Sequence, residues 1–251
     1  MQQNLFPKKT KQKKKNNLNW KPILIHGDCL DEMDKLIEQN IKIDAIITSP
    51  PYNISIKRKD CYYNTGYSEI DNLSEKEYIS LRLKEFNLFN KLLNLNSIII
   101  YNLSYTTYNP SLPIKLLNEI IKNTVFDVVE TIAWKKPIAI PFQTSPRKLS
   151  RICEMIYVIV RKNEKHTYIA NKTISKINKK TGQSFYKNYT NFIEAKNNDN
   201  IKTTHKATYS TELIEKLISI YVPVEKVILD PFMGVGTTGL AAYNTNRQLG
   251  L

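Results

Sequence analysis

A chain of 251 residues is long enough to bury one substantial core, and its 41% hydrophobic content is that of a globular protein. Its longest apolar run, Met155–Val160, falls far short of a bilayer span, and no apolar stretch follows the basic N-terminus; this excludes a secretory signal and a membrane partner and points to the cytoplasm. The formal charge of +14 favours a polyanionic partner, nucleic acid first, because removing Lys8, Lys9, Lys11, Lys13, Lys14 and Lys15 of the tail still leaves +8.

Residues 1–20 read as a basic, disordered tail. Pro22–His26 reads as a first strand. A helix over about Cys29–Gln39 follows, with Leu30, Met33, Leu36 and Ile37 at helical spacing. The strand Ile43–Thr48 leads into Ser49-Pro50-Pro51-Tyr52-Asn53, and residues 54–73 read as a long loop rich in Lys, Tyr and Asn. Ser74 with Glu77 three residues on signals a helix N-terminus, running to about Leu93. Then come a strand Ser97–Leu103, a helix Ile114–Lys122, a strand Val125–Trp134, a basic loop over 135–150 and a strand Ile152–Arg161. Residues 162–203 are polar with little core-forming pattern. A helix Thr211–Ile220, a strand Lys226–Leu229, a Gly-rich turn and a helix to about Asn244 complete the chain. Alternating strands and helices predict an α/β fold with a mostly parallel sheet.

Two segments carry chemistry. Prolines 50 and 51 fix φ and lack N–H donors, so the turn after the Ile43–Thr48 strand offers a hydroxyl (Ser49), free carbonyls and an aromatic face (Tyr52) at one strand end. That set suits gripping a planar base by its exocyclic amine. Near the C-terminus, Gly234-Val235-Gly236-Thr237-Thr238-Gly239 follows a strand and opens a helix, whose N-terminus offers free N–H groups to an anion. By itself this spacing suggests a dinucleotide site. Asp230 at the strand tip would repel a pyrophosphate but welcome an ammonium, so an amino-acid moiety fits better. With only twelve residues after Gly239, the strand–helix unit is expected to lack a downstream strand and to take its neighbour from the N-terminal part. The three cysteines (Cys29, Cys61, Cys153) and three histidines (His26, His166, His205) are scattered singly, which predicts neither disulfide nor metal.

Asp230-Pro231-Phe232-Met233-Gly234-Val235-Gly236-Thr237-Thr238, combined with Thr48-Ser49-Pro50-Pro51-Tyr52-Asn53 earlier in the chain, resembles the beta-class amino-methyltransferases of DNA. Their catalytic motif precedes the cofactor loop, as here. Further resemblances lie at Gly27-Asp28-Cys29-Leu30, Asp71–Tyr78, Glu130–Pro137, Cys153-Glu154-Met155-Ile156 and Thr204–Tyr209. The resemblance implies a circularly permuted Rossmann-like fold: a twisted, mostly parallel sheet with helices on both faces and a small target-recognition insert. It implies a catalytic part over 21–161, target recognition over 162–203 and a cofactor-binding part over 204–251. S-adenosylmethionine would be the cofactor and S-adenosylhomocysteine the product, with no metal; Asp28, Cys29, Thr48, Asp230, Pro231, Phe232, Gly234, Gly236, Thr237 and Thr238 would hold it. Ser49, Pro50, Pro51 and Tyr52 would be catalytic. Ser49 Oγ and the Pro50 carbonyl would accept the amine hydrogens, with Tyr52 stacking on a base flipped out of double-stranded DNA. Serine at the first motif position implies cytosine N4, the alternative being adenine N6.

Basic and aromatic residues after the turn (Lys57, Arg58, Lys59, Tyr62, Tyr63) and a second strip (Lys135, Lys136, Arg147, with Lys148 and Arg151) are candidate DNA contacts. A restriction–modification role would add a cognate restriction endonuclease, and the chain is expected as a monomer or homodimer. In the family, the strand after the Gly-loop helix ends in an acid that holds the cofactor's ribose. This sequence stops at Asn246–Leu251 as that strand begins, so weak cofactor binding is expected, and a catalytically silent DNA-binding remnant is the rival from another class; a dinucleotide-dependent oxidoreductase comes third.

Overall fold

The structure, a computed structural model, describes residues 22–53, 73–105, 109–139, 144, 146–199 and 208–249. The expected loop contacts Lys57, Arg58, Lys59, Tyr62 and Tyr63, and the expected tail, lie outside the described residues.

The elements in order are α1 (Cys29–Glu38), β1 (Ile43–Thr48), α2 (Glu75–Leu92), β2 (Leu93–Leu103), α3 (Leu112–Asn123), β3 (Phe126–Lys135), β4 (Cys153–Arg161), a 3-10 turn (Lys162–Thr167), β5 (Ile174–Ile177), β6 (Ser184–Tyr186), β7 (Phe192–Glu194), α4 (Thr211–Tyr221), β8 (Val227–Leu229), α5 (Thr237–Asn244) and β9 (Gln248–Leu249). Asp28 caps α1 through Leu30 N, and Ser74 and Glu77 form a reciprocal capping box on α2.

Seven strands form one sheet in the order β7-β3-β4-β2-β1-β8-β9. Its pairs are parallel except β2–β4 and β3–β4, which are antiparallel. Alternate residues of β2 feed opposite faces. Ile98 and Ile100 join Leu213, Ile214, Leu217 and Ala241 of α4 and α5, whereas Ile99 and Tyr101 join Phe86, Phe89, Leu116 and Ile120 of α2 and α3. Helices therefore cover both faces, which makes a Rossmann-like α/β fold. Among the described residues no helix is long and apolar enough to cross a membrane.

Three expectations are corrected. Pro22–His26 forms no strand: these residues are exposed, with Leu24 at 67%. The flanks of β1 are taken by β2 and β8, so an apolar run without a ladder partner stays irregular. The strand expected from Ser97 begins at Leu93, directly after α2, where Ile43 pairs with Leu93; Asn94 and Asn96 hid it by breaking the apolar pattern. The strand–helix unit after β8 is completed downstream after all, by the two-residue β9 running parallel to β8. Gly239 permits that closure, since a Cβ there would lie 2.8 Å from Leu249 Cδ2. The described part of the polar stretch, 162–199, is also organised: β5 and β6 pair as a hairpin, and β7 adds to the edge of the main sheet beside β3.

The α1–α3 layer encloses the buried pair Arg82 and Glu85, at 1% and 0% exposure. Burial outweighs the attraction of Arg82 and pushes the Glu85 carboxyl up to about 8. Between the ordinary carboxylate value and that one, the folded chain holds a proton that the unfolded chain has lost. The stability contributed at low pH is therefore lost as pH rises through this window. Glu85→Gln, which cannot ionise, is expected to lose less of its thermal midpoint between pH 5 and pH 9 than the wild type; parallel curves in a melting series would rule the account out.

Candidate active site

Thr48 ends β1, and Asp230 directly follows β8. Although 182 residues apart in sequence, the two side chains meet, Thr48 Oγ1 donating to Asp230 Oδ1 at 2.7 Å. The same oxygen accepts from Phe232 N at 3.1 Å, while Oδ2 accepts from Tyr209 Oη at 2.9 Å and Thr238 Oγ1 at 2.5 Å. Asp230 is thus buried with all four acceptor positions engaged. Burial still raises its pKa, and the four donors pull it back. The carboxylate ties β1, α4's leading segment and α5 into one junction, rather than standing bare at the strand tip.

The loop that follows turns through two left-handed residues, Gly234 (φ 55°) and Gly236 (φ 84°). Gly236 is the N-cap of α5 and supplies no side-chain hydrogen bond to it, which leaves first-turn amides available to an anion. A Cβ on Gly236 would meet nothing within 4 Å, so the loop borders open space. Positive φ, and not crowding, is what requires glycine there. Pro231 and Phe232 are half-buried beside it, and Thr237 and Thr238 are buried at the start of α5. Asp28 is exposed at the α1 N-terminus, where its side chain accepts from Leu30 N at 2.9 Å. Cys29 follows; burial first, then the charges of Glu85 and Asp28, push its thiol up to about 12, so it stays neutral. An uncapped helix N-terminus beside open space, an acid and an aromatic ring fit a ligand that combines a carboxylate, an ammonium and a planar base, as S-adenosylmethionine does.

The proline turn leaves β1 next to that loop. Pro51 is anchored by Tyr78 of α2, whose hydroxyl donates to the Pro51 carbonyl at 2.8 Å. Asn53 ends the turn at φ 55° and clamps Leu73 with its amide, donating to Leu73 O at 2.8 Å and accepting from Leu73 N at 2.9 Å. Asparagine tolerates this left-handed conformation where most side chains do not. Ser49 Oγ lies 2.6 Å from Tyr52 Oη.

Two residues not singled out as site residues complete the cluster. Asn102 of β2 donates to Tyr52 Oη at 2.8 Å, to Glu154 Oε2 at 2.9 Å and to Ser49 Oγ at 3.4 Å. Glu154 of β4 accepts from Tyr52 Oη at 3.5 Å and is ion-paired with Lys136, whose ammonium also lies 4.6 Å from the Trp134 ring centroid. Burial, then the Glu154 charge, holds the Tyr52 phenol well above its ordinary pKa, so it remains a neutral O–H. Asn102 Oδ1 is buried without a hydrogen-bond partner, which leaves an unused acceptor in the cluster. The one signal in the sequence was a polar residue in the apolar run Ile98–Leu103; its partners depend on strand order. Tyr209 was likewise missed, since only the fold carries it to Asp230.

The expected basic strip divides. Lys136 faces inward to Glu154, Lys135 pairs with Glu194 of β7 at 3.1 Å, and Arg147 is exposed in the loop after β3. Among the described residues no group of His, Cys, Asp or Glu could hold a metal ion.

A Rossmann-like sheet that brings a Ser-Pro-Pro-Tyr turn beside a Gly-loop helix N-terminus fits a cofactor-dependent methyltransferase. The model of the N6_N4_Mtase family, DNA methylase, matches residues 43–249, and the chain belongs to that family. It is similar to the Type II methyltransferase M.ScaI of Streptomyces caespitosus (27% identity, 90% of this chain and 74% of the relative) and to M2.MboI of Moraxella bovis (25%, 90% and 80%). Among solved structures, the M1.HpyAVI–SAM complex aligns at 26% identity with a TM-score of 0.59 over 90% of both chains. PvuII DNA methyltransferase, titled cytosine-N4-specific, shares the fold, with a TM-score of 0.65 at 19% identity over 89% of this chain and 78% of that one. This chain is therefore an S-adenosylmethionine-dependent DNA amino-methyltransferase of the beta class, acting on a flipped cytosine or adenine.

Proposed function

We propose that the amine methylated is N4 of cytosine, with Ser49 as the orienting acceptor. Serine at the first position of the proline-turn motif supports cytosine, as the family resemblance implies, and the orienting role is supported by the Ser49 hydroxyl at the C-terminal end of β1, held 2.6 Å from Tyr52 Oη beside the Asn102–Glu154 pair. An exocyclic amine has its lone pair delocalised into the ring and is a poor nucleophile. Ser49 Oγ and the Pro50 carbonyl accept its two hydrogens and turn the lone pair out of the ring plane. S-adenosylmethionine supplies an electrophilic sulfonium methyl when bound. Asp28 and Phe232 take its adenosine end, and the first turn of α5 behind Gly234 and Gly236 takes its carboxylate. Thr48 and Thr238 act through Asp230, whose charge favours the ammonium. Glu154 stabilises the positive charge that develops on the amine and receives the surplus proton along the Ser49–Tyr52 hydrogen bonds. Pro51 and Tyr78 keep the turn rigid, and the Tyr52 ring offers the face for the extruded base, offsetting part of the cost of flipping.

For the duplex we assign target recognition to residues 162–203, where no acid stands between Glu164 and Glu194 while Lys165, Lys172, Lys176, Lys179, Lys180 and Lys187 do. Phe185 and Tyr186 are exposed on β6 of the same hairpin. Basic and aromatic side chains together suit phosphates and base edges. Lys135, Arg147 and the segment with Lys57, Arg58, Lys59, Tyr62 and Tyr63 would add phosphate contacts. We place the enzyme in the cytoplasm, as a monomer or homodimer, paired with a restriction endonuclease reading the same sequence. Nucleoside mass spectrometry of DNA treated with the enzyme tests the base assignment: N4-methylcytosine is expected, and N6-methyladenine alone would overturn it.

A further inference from the structure

Arg82 Nη2 approaches Glu85 Oε1 at 2.8 Å inside α2's buried face, yet Arg82 Nε and Nη1 and both Glu85 oxygens lack a well-formed hydrogen bond. An Arg–Glu pair buried this way is a poor stabilising device, because apolar residues of similar volume usually hold a core as well or better. What the guanidinium touches gives another reason for it. Its Cζ lies 5.2 Å from the Tyr78 ring centroid and 5.0 Å from that of Phe232. Tyr78 holds the Pro51 carbonyl through its hydroxyl, at 2.8 Å. Phe232 belongs to the turn after β8, with its amide on Asp230 Oδ1 at 3.1 Å. One planar, permanently charged group therefore lies over both the Tyr78 ring of α2, whose hydroxyl holds the turn after β1, and the Phe232 ring in the turn after β8.

We propose that Arg82, held by Glu85, is a positioning residue that sets the separation between the amine-gripping turn and the methyl-donor site. The proposal rests on the methyltransferase reading of that site. It touches neither substrate, so its effect falls on the transfer step. Displacement of reacting groups by about 1 Å is enough to slow a reaction by about 100-fold.

The test replaces the pair by apolar residues of similar volume, Arg82→Met with Glu85→Leu. The thermal midpoint is expected to equal or exceed that of the wild type, with the KM for DNA unchanged and the single-turnover rate of methyl transfer about 10-fold lower or more. Arg82→Lys, which keeps the charge without the planar fork, recovers only part of the rate. Tyr78→Phe removes only the hydroxyl on Pro51 and reads the far end of the same link, whether or not the double variant folds. It is expected to slow transfer at unchanged KM, and to add no further loss in the double-variant background. A wild-type rate in either variant overturns the proposal, as does a loss that appears only in KM or in folded fraction. A wild-type chain that transfers no methyl in the same assay overturns the methyltransferase reading as well, which separates the two failures.

Discussion

Ser49→Ala is expected to lower the single-turnover rate of methyl transfer by about 100-fold or more while leaving cofactor affinity and thermal midpoint near wild type. Under the proposed function, the substitution removes the acceptor for the amine and nothing that holds the fold. Tyr52 Oη still receives Asn102 Nδ2 at 2.8 Å, and Asn102 still reaches Glu154 at 2.9 Å, so the remaining cluster has partners. Pro51 stays anchored by Tyr78, and Thr48 stays on Asp230. The loss therefore belongs to the transition state, where the amine becomes tetrahedral and its hydrogens gain positive charge. Rapid-quench transfer of a tritiated methyl group, set beside calorimetric binding of S-adenosylmethionine, checks both halves. Full activity in this variant would remove Ser49 from the mechanism.

Asp230→Ala should be more damaging to the protein as a whole. Its carboxylate accepts from Thr48, Phe232 N, Tyr209 and Thr238, and truncation leaves these donors facing one another in a buried junction. Each stranded group costs about 1–3 kcal/mol, so a stability loss of about 3 kcal/mol or more is expected. Cofactor affinity should fall by about 100-fold, since the Gly loop loses its anchor and, under the proposed function, a negative charge behind the ammonium. Asp230→Asn keeps one acceptor for Thr48 and Phe232 N but turns a donor toward Tyr209 and Thr238, and should fall between the two. Thermal melting and calorimetry read these effects separately. An Asp230→Ala chain that binds S-adenosylmethionine like the wild type would show that the carboxylate serves the fold alone.

Much of this organisation was legible along the chain. The run Ile43–Thr48 is apolar because β1 is buried on both faces between β2 and β8, and its bounds match the structure. Ser74 and Glu77 announced the capping box of α2, a local device that needs no partner from elsewhere. The glycines at 234 and 236 marked a turn that backbone sterics reserve for them. Legibility failed where pairing decides: Ile23-Leu24-Ile25 has strand composition but no ladder to join, and the short β9 has too few residues to show a period. It also failed for Asn102 and Arg82, each an ordinary residue until its neighbours are known, while Glu154 and Tyr209 stood in segments of resemblance without a role assigned to them.

The sequence by itself determined the chemistry available, because residue type and local backbone preference set what a proline turn and a glycine loop can offer. Only the tertiary structure decided that the two work together. Sheet order places β8 against β1, bringing Asp230 to Thr48 across 182 residues, and strand register then chooses which side chains surround Ser49. Those contacts come from packing over the whole chain, and no window of sequence contains them.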